Sequence, residues 1–168
     1  AFANPTVGNT MKASKPSPRP AAHALPTVVA WLGYGGLIPF VALGAATVLA
    51  PDQRTLWSPA LIAYGAVILS FVGALHWGIA MTAPQMPAQQ RSLHYVWSVI
   101  PALLAWPTPL LPVAAGALVL MLGFAAHLVL DLSLVRTTPL PRWYLPLRLQ
   151  LTATACICLG LGAWAAGR

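Results

Sequence analysis

Long apolar runs alternate with short polar breaks along this chain. No Asp, Glu, Lys or Arg occurs in residues 20–51, 55–90, 92–130 or 149–167. A run of about 20 apolar residues can cross a bilayer as a helix, because hydrocarbon offers no partner to an exposed backbone. The pattern predicts five such segments, at about 26–50, 59–81, 93–111, 113–135 and 144–164. Pro51-Asp52-Gln53-Arg54, residues 83–91 and residues 136–142 are the polar breaks. Between the third and fourth segments stand only Pro107, Pro109 and Pro112, and Pro101 would also allow the third segment to re-enter the membrane. The expected fold is an all-α polytopic bundle of five transmembrane helices.

Residues 1–25 do not share this pattern. They carry Pro5, Pro16, Pro18 and Pro20 with Lys12, Lys15 and Arg19, which is the composition of a flexible basic tail. The tail lacks the apolar centre of a signal peptide, and Met11 is a candidate initiator within it.

Composition sharpens the membrane reading. The chain is 58% hydrophobic and 7% charged, outside the range of soluble domains. Its net charge of +7 belongs to the tail and loops, where lipid and orientation account for it, and no nucleic acid partner is expected. With five crossings, Lys12, Lys15, Arg19, Arg91, Arg136 and Arg142 share the N-terminal side, against Arg54 and Arg168 opposite. Six against two places the N-terminus in the cytoplasm or matrix. The aromatics fit the same frame. Trp31, Trp77, Tyr95, Trp97, Trp143 and Tyr144 fall near one interface, and Trp57, Trp106 and Trp164 near the other.

Polar side chains inside the apolar segments are the candidate chemistry. Asp131 lies about a turn inside the fourth segment, and Arg148 at the matching depth of the fifth. A carboxylate in hydrocarbon costs roughly 2.5–3.5 kcal/mol, so it requires a partner, and Arg148 is the cation at the right depth. His127 precedes Asp131 by four residues on one helical face. His76 ends the second segment and His94 opens the third, so all five groups converge on the N-terminal-side half of the bilayer. An ion pair fastening two helices is the expected role, with structural hydrogen bonds for the histidines. Haem, quinone or pigment ligation and a proton or ligand site are the alternatives.

Small residues mark expected helix contacts. Ala66, Ser70 and Ala74 recur every four residues, Gly33, Gly36 and Gly44 thin the first segment, and Pro39 should kink it by freeing the carbonyl of Gly35. Cys156 and Cys158 project about 200° apart on a helix and are expected to be apolar filler, not a disulfide or metal pair. Two acidic residues leave no carboxylate dyad, metal cage or phosphoryl-transfer site, and neither Ser70 nor Ser98 has a nucleophile setting. No enzyme activity, metal or dedicated cofactor is expected, and bound phospholipid is.

Several strings here resemble a family of small membrane proteins of unknown function. They are Leu32-Gly33-Tyr34-Gly35-Gly36-Leu37-Ile38-Pro39-Phe40, Tyr64-Gly65-Ala66 through Ser70-Phe71, His76-Trp77-Gly78, and Trp97-Ser98 with Pro101. Pro141, Trp143-Tyr144, Leu147-Arg148 and Leu151-Thr152 close the match. The resemblance covers about residues 28–155, and the family includes mitochondrial transmembrane protein 69. It implies five helices in a bacterial inner or mitochondrial inner membrane, and no assigned activity. It directs attention to Pro39, His76, Trp77, Trp97, Asp131, Trp143, Tyr144 and Arg148. His127, the cysteines and the proline-rich tail lie outside the matched pattern. The function expected from all this is a non-catalytic accessory or assembly subunit of an energy-transducing complex, among lipids and other integral membrane subunits. A proton-linked carrier and a haem-, quinone- or pigment-binding subunit are the alternatives.

Overall fold

A computed structural model describes residues 25–84, 86–137 and 140–168, and the basic tail lies outside the described residues. Among them the regular elements are all helical: α1 (Thr27–Gly35), α2 (Leu37–Leu49), α3 (Arg54–Thr82), α4 (Ala88–Ala105), α5 (Val113–Thr137) and α6 (Tyr144–Ala166). Short 3₁₀ turns, Pro51–Gln53 and Thr108–Leu110, lead into α3 and follow α4. The chain is a helical membrane bundle. Among the described residues four stretches are long and apolar enough to cross a membrane: Thr27–Leu49, Pro51–Thr82, Val113–Arg136 and Tyr144–Ala166.

The third expected segment is the exception by composition, since α4 opens on Ala88-Gln89-Gln90-Arg91 and ends at Ala105, short of 111. Packing shows how far it reaches. Arg91 Nη2 donates to the Ala83 carbonyl at 2.9 Å, so α4 begins beside the end of α3. At its other end, the Thr108 carbonyl and Ile62 both crowd Gly116. From Ile62 to Ala83, α3 rises about 31 Å, roughly the thickness of the hydrocarbon core. The segment from α4 to Thr108 therefore lies along that length of α3, antiparallel to it.

Helix α1–α2 differs from the expected kink at mid-segment. The helix breaks at Gly36, three residues before Pro39. Pro39 brings no N–H to the Gly35 carbonyl, while Gly36 N–H still donates to Leu32 O at 3.1 Å. The Tyr64 hydroxyl of α3 donates to the neighbouring Gly36 carbonyl at 2.8 Å, tying the break to α3. Helix α3 starts at Arg54, not near 59, and carries Pro59 inside its second turn. Arg54 Nε in turn donates to the Thr47 carbonyl at 3.3 Å, so both loop arginines serve carbonyls at the end of the preceding helix.

The close contacts do not follow the Ala66–Ser70–Ala74 stripe. Ala66 is buried, but Ser70 donates to its own helix at Ala66 O (2.8 Å) and Ala74 is exposed. Leu61, Ile62 and Leu69 of α3 meet Gly162, Gly116 and Gly123 of α6 and α5, while Gly65 faces Leu120 and Leu159 and Gly73 faces Ser98 and Pro101 of α4. A Cβ on Gly73 would lie 2.7 Å from the Ser98 carbonyl oxygen, and one on Gly65 would lie 2.9 Å from Leu120 Cδ1. Glycine at these points lets backbones approach where no hydrophobic effect drives association. Gly44 lets α2 meet Cys158 of α6 in the same way. Gly33 makes only ordinary contact with Leu147, and Gly36 faces its own helix. Phe40 fills the centre, edge-on to Tyr64 (5.0 Å) and Phe124 (6.2 Å).

Candidate functional site

Two helix pairs build one buried cluster. On α5, His127 and Asp131 are four residues apart and share a face. On α6, Tyr144 and Arg148 have the same spacing, and the antiparallel packing of α5 on α6 sets the pairs opposite each other. Arg148 Nε donates to Asp131 Oδ2 at 2.7 Å, and the Tyr144 hydroxyl donates to Oδ1 at 2.9 Å. Both carboxylate oxygens thus accept charge-assisted bonds, the condition for a carboxylate away from water. Asp131, His127 and His76 have no exposed surface, and Arg148 retains 5%.

His76 from α3 enters from the side. Its Nε2 lies 3.8 Å from Asp131 Oδ1, and His127 Nδ1 lies 3.7 Å from Oδ2. Both separations exceed a hydrogen bond. Arg148 Nη2 is 3.5 Å from His127 Nδ1. The His76 ring meets His127 edge-on at 4.4 Å and stacks on His94 of α4 at 5.2 Å. The structure therefore brings together His76, His94, His127, Asp131 and Arg148. Rings 4.4 Å apart leave no room for a macrocycle between His76 and His127.

The expected interface aromatics divide. Trp77 is exposed and packs edge-on to Tyr95 at 4.9 Å. Trp97 is half-buried, with its indole N–H enclosed and unpartnered among the described residues. Trp143 is half-buried against Tyr144 and lines a cavity of about 480 Å³ between α1–α2 and α3, α5 and α6. Tyr144 corrects the belt assignment, because its hydroxyl turns inward to Asp131. Its spacing from Arg148 was the signal that marks it as a member of the cluster. Thr152, one turn further along α6, lines the cavity with its hydroxyl buried and unpartnered among the described residues.

The profile of a family described as "Protein of unknown function (DUF3429)" matches residues 25–164, nearly the whole described bundle. The chain belongs to the DUF3429 family. Among curated proteins, it is similar to transmembrane protein 69 of Xenopus tropicalis, 35% identical over 144 residues, covering 84% of this chain and 53% of that protein. It is also similar to transmembrane protein 69 of Mus musculus, 29% identical over 140 residues, covering 81% and 52%. The DUF3429 chain thus spans about half the length of these curated relatives. No solved structure matches it. The matched region contains every residue of the buried cluster.

Proposed function

We propose that this DUF3429 protein is a non-catalytic accessory or assembly subunit of a larger energy-transducing complex, respiratory or photosynthetic, in a bacterial inner or mitochondrial inner membrane. The closure of the cluster carries the reading. Asp131 accepts one bond on each oxygen, from Arg148 and Tyr144, and has no exposed surface, so the charges serve to pin α5 to α6. What remains outside is an apolar surface for lipid or neighbouring helices, including Val28, Trp31 and Leu32 of α1 and Ile38 and Leu49 of α2. The first span is also the least enclosed, with 11% of its window buried against 33–44% for the other three. In this reading the cavity beside Trp143 takes a phospholipid chain. Arg91, Arg136 and Arg142 mark the end of the bundle that faces the cytoplasm or matrix. Extraction in mild detergent should recover this chain with other integral membrane subunits. Recovery as a lone monomer contradicts the proposal.

A proton-linked carrier is the second reading, and the His76 ring, without a hydrogen-bond partner among the described residues, favours it. Asp131→Asn separates the two. The accessory reading expects a less stable protein and a proton flux in liposomes no higher than empty vesicles, before and after substitution. Flux in the wild type that Asp131→Asn abolishes supports the carrier instead.

A further inference from the structure

The cluster leaves one group unexplained. Both ring nitrogens of His76 and Nε2 of His127 are buried without a hydrogen-bond partner among the described residues. Buried polar atoms in folded proteins are nearly always satisfied, so the His76 ring, with neither nitrogen hydrogen-bonded among the described residues and Nε2 facing Asp131, calls for a ligand. Each of His76, His127 and Asp131 presents a donor atom, and the three lie within 4.8 Å of one another. We propose that His76, His127 and Asp131 form a binding site for a divalent first-row transition-metal ion.

The separations fit an ion better than they fit direct contacts. Gaps of 3.7 and 3.8 Å are too long for hydrogen bonds between imidazole and carboxylate. Two tetrahedral ligands of a shared ion, each about 2.1 Å from it, sit about 3.4 Å apart, and because the two gaps end on different oxygens one ion between the rings would take Asp131 through both. Two imidazoles and a carboxylate suit zinc and the iron-to-copper series, while calcium and magnesium demand oxygen ligands. Counting acids excludes an oxygen cage, but this donor set needs only one carboxylate.

Tyr144 and Arg148 Nε leave lone pairs free on Asp131, and Arg148 Nη2, 3.5 Å from His127 Nδ1, has to turn from that nitrogen when an ion is bound. An ionised carboxylate has about four lone-pair positions, and the bonds from Tyr144 and Arg148 occupy one on each oxygen. They become the outer partners that hold the ligating carboxylate in place. Arg148 also adds positive charge beside the ion, which favours the ionised form of any water completing its coordination. The proposal is independent of whether the chain is an accessory subunit.

The test titrates the full chain, stripped with chelator in detergent, with Co²⁺ alone. One saturable ion per chain is expected, with visible ligand-field bands, and Zn²⁺ should displace it. Tyr144→Phe should weaken Co²⁺ binding by about 10-fold through the carboxylate's outer partner. His76→Ala should abolish the bands, while His94→Ala, which removes only the stacked neighbour, should keep them. The wild-type titration decides the matter even if a variant fails to fold. Absence of a saturable site in the wild type, or bands that persist in a folded His76→Ala protein, overturns the proposal. So does a loss of binding confined to His94→Ala.

Discussion

Arg148→Met will destabilise the bundle by about 3–5 kcal/mol, the penalty for leaving a buried charge without its partner. The loss follows from geometry. Arg148 Nε is the closest cation to Asp131, at 2.7 Å, and the carboxylate has no exposed surface through which water could replace it. Asp131→Asn should be costly for the mirror-image reason, since it strands the guanidinium. The double variant should recover most of the loss, because an apolar or neutral pair of similar volume is often as stable as the buried ions. Unfolding in detergent with chelator present measures the cycle free of any metal contribution. A double variant as unstable as the sum of the singles, or an Arg148→Met protein within about 0.5 kcal/mol of wild type, contradicts a fastening role.

Gly73→Ala carries the second large effect. The added carbon would sit 2.7 Å from the Ser98 carbonyl oxygen and 3.1 Å from Pro101, both parts of α4 that cannot swing aside. Overpacking of this kind costs about 1–3 kcal/mol. Gly162→Ala is the control. Its Cβ would be closer still, 2.5 Å from Leu61 Cδ2, but that atom ends a flexible side chain. Thermal unfolding of the two variants should rank Gly73→Ala as the more damaging. The reverse order removes α4 from the close contact with α3.

Much of this arrangement is legible in the residues. Charge-free runs of helical length mark the segments, and the depths of Asp131 and Arg148 identify the pair, because hydrocarbon makes an isolated charge expensive. Other features escape for physical reasons. Helix α3 begins at Arg54 because polar residues end a hydrophobic run without ending a helix. Composition cannot separate an interfacial tyrosine from one that donates inward, so Tyr144 is recognised only through its four-residue spacing from Arg148. The Ala66–Ser70–Ala74 stripe misleads because small residues pack closely only on the face a neighbour reaches. Glycines mark the close approaches more faithfully, Gly65 toward α5 and α6, Gly73 toward α4, and Gly116 and Gly123 toward α3. The His76 cluster needs three helices at once, and no single-helix spacing reveals that both His76 nitrogens lack hydrogen-bond partners among the described residues.

Five passages through lipid, with the ionisable groups gathered at one end, underlie every expectation above. Single cysteines at Asp52, Leu110, Gln89 and Arg142, in a background with Cys156 and Cys158 replaced, would report sidedness to a membrane-impermeant maleimide. Asp52→Cys and Leu110→Cys should react from one face of the membrane, and Gln89→Cys and Arg142→Cys from the other. Labelling of Leu110→Cys from the same face as Gln89→Cys would show that α4 turns back within the bilayer, and the account would fail.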